Sequence, residues 1–318
     1  MGFAEMSQCG VASQTMTDKQ KVSFGLIAPA VLNLPLYIAE RKGFLAGLGV
    51  EASWTICGTT DATTEAVRNG AVDIIMNSPE GSIADRVAGG QLRLIGGLAN
   101  RPPLSLIARP EFTRIEDLRG RRIGTSSLKE GTCHLVQLML GKHGLRYPGD
   151  FEFVLAGAHP QRWGALQAGT IDAALQLLPF DMIAEDAGYR NLGRADDYVP
   201  EFSFAAIAAR ADWLEDHASL AARVMKGLLD GTAWFYDHPQ EAAQIASTES
   251  RTPTEFALRA CEQLIAKKLI PRDLRVTQPA IDRAVEAMRA SGQISATCMI
   301  PTDVFDPRWL QRAAAGKW

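Results

Sequence analysis

The chain has no apolar run long enough to cross a bilayer, so no transmembrane helix is expected. Its five cysteines, Cys9, Cys57, Cys133, Cys261 and Cys298, are odd in number and widely spaced, which excludes a disulfide framework and a paired-cysteine zinc site. The five histidines stand at no ligand spacing with one another or with a cysteine pair, so neither a metal nor any other cofactor is expected. There is no glycine-rich dinucleotide or phosphate loop; in Lys129-Glu130-Gly131-Thr132 the lysine precedes the glycine. Basic residues show no excess, 33 against 36 acidic, and they are scattered, so nucleic acid is not an expected partner. Residues 1–20 lack the basic start, apolar core and small-residue cleavage site of a secretory signal and read as a flexible tail. The chain as written is therefore expected in the cytoplasm, or in the periplasm if its true start lies elsewhere.

What is present is ordinary globular composition and one repeated phrase. AVRNGAVDIIMNSPE begins at Ala66, and ALQAGTIDAALQLLPF begins at Ala165. Each copy reads as a helix end, a glycine stop (Gly70, Gly169), an acidic turn residue (Asp73, Asp172), a short apolar strand, and a loop at the strand's carboxyl end. In open α/β sheets ligands collect outside those carboxyl ends. Two such loops on two similar lobes can close on one small molecule from opposite sides.

Strand and helix patterns alternate over residues 22–108 and again over 120–208, which predicts α/β lobes with mostly parallel sheets flanked by helices. The first part of lobe 1 is placed at 21–109 and lobe 2 at 110–203. Residues 204–318 return to lobe 1 and continue as a helical extension. The expected hinges lie near Arg109 and Ser203.

Four segments in order carry a resemblance. They are Pro35 to Leu45 (PLYIAERKGFL) before Gly49-Val50-Glu51, the Gly70/Asp73 phrase, Asp117 to Gly124 (DLRGRRIG), and Ala165-Leu166 with Gly169 and Asp172. With them the chain resembles periplasmic substrate-binding proteins of the sulfonate, nitrate and taurine transporter type, and their thiamine-pyrimidine-related relatives. The resemblance implies the two-lobed type II periplasmic-binding-protein fold. It also implies a solute-binding protein of an ABC transporter, with a permease as partner. Such a protein would capture a small organic molecule with a sulfonate-like or carboxylate-like group by hinge closure.

Strand-end logic and the resemblance select the same loops. In lobe 1 these hold Pro29, Asn33, Thr59, Thr60, Ser78, Pro79 and Glu80. In lobe 2 they hold Ser126, Ser127, Lys129, Gly131, Thr132, His159, Leu178 and Phe180. Thr59, Thr60, Gly131 and Thr132 precede predicted helices, whose free N–H groups suit an anion, although plain N-capping explains them equally. Lys129 argues for an anionic ligand unless it is a surface lysine. Glu80 argues for a cationic or zwitterionic one unless it merely complements a helix dipole. Phe180, in the duplicated loop, is the expected aromatic wall.

The alternatives are a cytoplasmic ligand sensor and an enzyme on the same fold, of the desulfinase, decarboxylase or pyrimidine-synthase kind. In the enzyme reading Cys133, its thiol acidified at a helix N-terminus, is the nucleophile and His159 the base. The opposing reading makes Cys133 a small buried hydrophobe.

Overall fold

A computed structural model describes residues 19–318; the tail expected at 1–20 lies outside the described residues, apart from the last two. Ten strands form two five-stranded sheets. The strands are β1 (Gln20–Leu26), β2 (Val50–Ile56), β3 (Ile74–Asn77), β4 (Leu92–Ala99), β5 (Leu104–Ala108), β6 (Arg122–Thr125), β7 (Glu152–Leu155), β8 (Ala173–Leu177), β9 (Arg190–Arg194) and β10 (Ala205–Arg210). The first sheet has the order β2-β1-β3-β10-β4 and the second β7-β6-β8-β5-β9. The orders match position for position, so the doubling in the sequence is a doubling of whole lobes.

The α/β class stands as expected, but each sheet is mixed. β1 runs parallel to β2 and β3, and β6 parallel to β7 and β8. β10 runs antiparallel to both its neighbours, and so does β5. The antiparallel strands are the two that follow a crossing between lobes. β5 is wholly buried and pairs with β8 from Leu104↔Leu177 to Ala108↔Ala173. It therefore belongs to lobe 2, and the first crossing falls at residues 100–103, not near Arg109. The second crossing precedes β10. The two crossings run side by side: Phe202 N–H donates to Asn100 O (2.9 Å) and Phe204 N–H to Ala99 O (2.9 Å).

The repeated phrase has one structural job in both lobes. Gly70 and Gly169 end their helices with φ of 78° and 68°, a left-handed conformation that costs glycine least. The acid that follows then ties the turn to a central strand, at the middle of β1 and at the start of β6. Asp73 Oδ2 accepts from Ser23 N (2.8 Å) and Ser23 Oγ (2.7 Å). Asp172 Oδ2 accepts from Arg122 N (2.9 Å), and Asp172 Oδ1 from Arg122 Nη2 (2.9 Å). These ties fix where β3 and β8 begin, and hence where their carboxyl ends emerge.

The C-terminal helices are not confined to lobe 1. Helix Ala218–Asp237 packs on Leu34–Arg41 of lobe 1. Helix Gln278–Ala290 packs on both Glu80–Val87 of lobe 1 and Gly131–Gly141 of lobe 2. Among the described residues no helix is long and apolar enough to cross a membrane.

Candidate ligand-binding site

The carboxyl ends of the central strands of both lobes surround a cavity of about 70 Å³. A single water needs roughly 10–15 Å³, so several waters or a small organic molecule fit. Lobe 1 contributes the segment after β1, including Ala28, Ala30 and Asn33, and the end of β3 with Asn77 and Ser78. Lobe 2 contributes Ser126, Glu130 and Thr132 after β6, His159 and Arg162 after β7, and Leu177 at the end of β8. Phe204, from the second crossing, and Ala205, at the start of β10, complete the wall.

Arg162 dominates the chemistry. It lies one turn into helix His159–Gln167, on the face shared with Leu166, and is 2% exposed. Its Nε donates to Gly157 O (3.0 Å) and its Nη1 to Leu175 O (3.1 Å). Among the described residues Nη2 makes no hydrogen bond; Glu130 Oε1 stands 3.9 Å away, beyond hydrogen-bond reach. A guanidinium anchored by two carbonyls thus leaves a donor for a cavity occupant.

Glu130 is also buried, and it is enclosed by donors: Thr60 Oγ1 (2.9 Å), Thr125 Oγ1 (3.1 Å), Ser126 N (3.1 Å) and Thr132 Oγ1. Burial pushes its carboxyl up. The Arg162 charge and these donors outweigh burial and hold it below its ordinary value, so it is ionised at neutral pH. His159 Nδ1 accepts from Leu177 N (3.1 Å), which places the hydrogen of a neutral ring on Nε2. Burial first, and then the Arg162 charge, hold its pKa well below the ordinary histidine value. Ser126 Oγ is buried with no partner, although Ser126 lines the cavity.

Of the residues selected from sequence, Asn33, Ser78, Ser126, Thr132 and His159 line the cavity. Thr60 and Ser127 sit behind the wall and join the lobes. Thr60 Oγ1 donates to Glu130, and Ser127 Oγ donates to Asp61 Oδ2 (2.9 Å). Thr59 caps helix Thr60–Arg68 by accepting from Ala62 N (3.1 Å). Gly131 opens its helix where an added Cβ would meet Glu80, Phe202 and Phe204 at 3.2–3.3 Å. Pro29, Pro79, Leu178 and Phe180 adjoin the site without lining it, so the expected aromatic wall is Phe204 and not Phe180. Phe180 starts a helix beyond β8 and lies half-buried there. Lys129 is exposed at a loop tip and outside the cavity, which corrects its assignment as the cationic contact. Glu80 is fully buried beside the cavity and does not line it.

The activation that the enzyme reading asks of Cys133 is absent, and the opposing reading, a small buried cysteine, matches its burial. Burial, with the nearby Glu130 and Glu80 charges, pushes its thiol up to about 12. The side chain is 1% exposed, outside the cavity, and within 3.3 Å of Gln137 Nε2. Burial, and after it the two carboxylates, cancel what a helix N-terminus gives a thiol. The residues that sequence reasoning missed are Arg162, Glu130 and Phe204. Position in a loop at a strand end flags Glu130, but an arginine inside a helix reads as solvent-facing, and only its nearness to His159 hints at the site.

A curated relative, the 4-amino-5-hydroxymethyl-2-methylpyrimidine phosphate synthase of Uromyces fabae, is 23% identical over 225 residues, 65% of this chain. The matched stretch spans 64% of that relative's length. Among solved structures, the ligand-binding component of an ABC-type import system from Staphylococcus aureus superposes with a TM-score of 0.79 at 13% identity. It covers 93% of this chain and 99% of its own. The alkanesulfonate-binding protein SsuA of Xanthomonas axonopodis pv. citri, bound to MOPS, gives 0.70 at 17% identity, covering 95% and 99%. These likenesses establish the fold, that of the periplasmic binding proteins. The sequence profile described as NMT1/THI5 like matches residues 33–242, and the chain belongs to that family.

Proposed function

We propose that this protein is a solute-binding component of an ABC-type importer. It captures a small organic anion, sulfonate- or carboxylate-like, between its lobes and releases it unchanged to a permease. The observation that carries the reading is Arg162: a buried guanidinium in the cavity wall whose Nη2 has no acceptor. The start of helix His159–Gln167, with its positive dipole end, lies at the same wall. The unpartnered Ser126 hydroxyl and the His159 Nε2–H add donors. Apolar Ile27, Leu32, Met76 and Leu177 suit a short carbon skeleton. Periplasmic residence goes with this role.

The test is titration calorimetry against alkanesulfonates, carboxylates, amino acids and pyrimidines, with mass spectrometry of the recovered ligand. Tight binding of an anion that comes back intact is expected. Arg162→Lys keeps the charge but loses the planar fork, and should weaken binding about tenfold or more. Binding that prefers cations, or is indifferent to Arg162→Lys, contradicts the proposal.

A second reading, an enzyme on this fold, is favoured by the synthase relative and by the neutral His159 imidazole at the cavity. It would use His159 as proton donor or acceptor, with no role for Cys133. Turnover of a bound pyrimidine or sulfinate, abolished in His159→Gln while affinity persists, would establish it.

A further inference from the structure

The two lobes differ in what their polar side chains still have to offer the cavity. Lobe 1 sets Asn33, Asn77 and Ser78 in the wall and no charged residue. Asn33 stands just before helix Leu34–Arg41 and is 5% exposed. Its Nδ2 donates to Ala28 O (3.0 Å) and to the Tyr37 hydroxyl (3.1 Å). A carbonyl oxygen can only accept, so Ala28 O fixes which end of the amide is nitrogen. Two acceptors take the two amide hydrogens, and among the described residues no donor reaches Oδ1.

Asn77 is spent in the same way. Its Nδ2 donates to Thr60 O (3.1 Å) and Thr64 Oγ1 (3.1 Å), and its Oδ1 already accepts from Ser78 N (2.7 Å). Ser78 Oγ donates to Glu80, which does not line the cavity. The side-chain hydrogens of the lobe 1 wall thus point into the protein, and Asn33 Oδ1 is the acceptor left for an occupant.

Lobe 2 is the reverse. Thr132 Oγ1 spends its hydrogen on Glu130, and that carboxylate is ringed by further donors. What remains is hydrogen: Arg162 Nη2 and the unpartnered Ser126 hydroxyl. The cavity is therefore polarised, with donors on one lobe and an acceptor on the other.

A buried acceptor without a donor is costly. Water can supply the hydrogen in the unliganded protein. A ligand that displaces this water must bring a hydrogen of its own or forfeit the bond. A site of this kind rejects analogues that lack the donor, because its own polar atom is then left unpaired. An ammonium group fits poorly. Lobe 1 places no carboxylate in the wall, and a buried charge needs a partner.

We propose that the ligand is an acid with a neutral hydrogen-bond donor at its far end, a hydroxyl or an amide-like N–H, and that Asn33 selects for it. The acid group lies on Arg162 and Ser126 of lobe 2, and the donor reaches Asn33 Oδ1 of lobe 1. This rests on the anion-capture reading above, and the test separates the two.

The experiment is titration calorimetry of the wild-type chain with short alkanoates of increasing length, each beside its ω-hydroxy, ω-fluoro and ω-amino derivatives, and with the matching sulfonates. Fluorine keeps the dipole of a hydroxyl and removes its hydrogen. At the best length the hydroxy acid should bind about tenfold tighter than the plain and fluoro acids, and tighter than the amino acid. Acids that bind with no gain from the hydroxyl overturn the selection and leave anion capture standing. Preference for the ω-amino acid overturns the neutral donor, and no binding by any acid overturns both readings. Asn33→Leu should bring the hydroxy and plain acids to nearly equal affinity. Ser126→Ala should weaken both alike and keep their ratio. A ratio that survives Asn33→Leu removes Asn33 from the role. The wild-type comparison needs no variant to fold.

Discussion

At the scale of the residue, burial decides more than neighbours along the chain do. Asp181 lies in the first turn of helix Phe180–Asp186 and is buried against Ser105 Oγ (2.8 Å) and Met182 N (2.9 Å). Burial pushes its carboxyl from 3.8 up to about 6, with those hydrogen bonds opposing. The folded chain thus keeps a proton that the unfolded chain loses, and stability falls as pH rises from about 4 to 6. The effect totals roughly 2–3 kcal/mol. Asp181→Asn should remove that slope; urea midpoints measured from pH 4.5 to 7 would check it, and an unchanged slope would put its source elsewhere. Cys133 follows the same logic. In the native protein it should resist alkylation at pH 8, where the half-exposed Cys57 and Cys298 react. Rapid labelling of Cys133, read by peptide mass, would reverse that assignment. The enzyme reading asks the opposite of Cys133 because helix position is visible in a sequence, whereas the depth of burial and the approach of Glu130 and Glu80 are not.

At the scale of the element, the repeated phrase was legible because its parts are local. A glycine stop, a turn acid and four or five apolar residues need no knowledge of the rest of the chain. The loops at strand ends followed from it, and with them Asn33, Ser78, Ser126, Thr132 and His159 on the cavity wall. Strand β9 was not legible: Arg190-Asn-Leu-Gly-Arg194 is a polar edge strand with one apolar residue and reads as a turn. The lobe to which β5 belongs was hidden too, since an apolar run does not say which sheet it joins. Asp172 gives the element-scale prediction. Burial raises its carboxyl, but the Arg122 hydrogen bonds and charge, then Arg109, outweigh burial and lower it overall. Its stabilisation is complete above the unfolded value and is lost as pH falls through the folded one. Asp172→Asn should cost about 1–3 kcal/mol at neutral pH, measured by denaturant unfolding, and less in acid. A cost that does not shrink in acid would rule out the ion pair as its source.

At the scale of the whole molecule, two hydrogen bonds near the cavity link the lobes, Thr60 to Glu130 and Ser127 to Asp61. Thr60 does not itself line the cavity, although the carboxylate it donates to does. Thr60→Val leaves one Glu130 oxygen short of a donor and should shift the balance toward the open form by about 1–2 kcal/mol. Scattering would show a larger radius of gyration, and ligand affinity would drop about tenfold through a faster off-rate. An unchanged radius would mean that other contacts, such as Lys267 to Asp196, keep the lobes together.

The position of β10 between β3 and β4 bears on how the chain is made. All five strands of lobe 2 have been translated by Arg194, whereas the sheet of lobe 1 lacks an inner strand until Arg210 emerges. The inserted half can therefore finish first, while the half begun earlier waits with β3 open on one side and β4 without a strand partner. Chains stalled on the ribosome between those points should yield a protease-resistant core from the later-made half, and equal digestion of both halves would contradict that order.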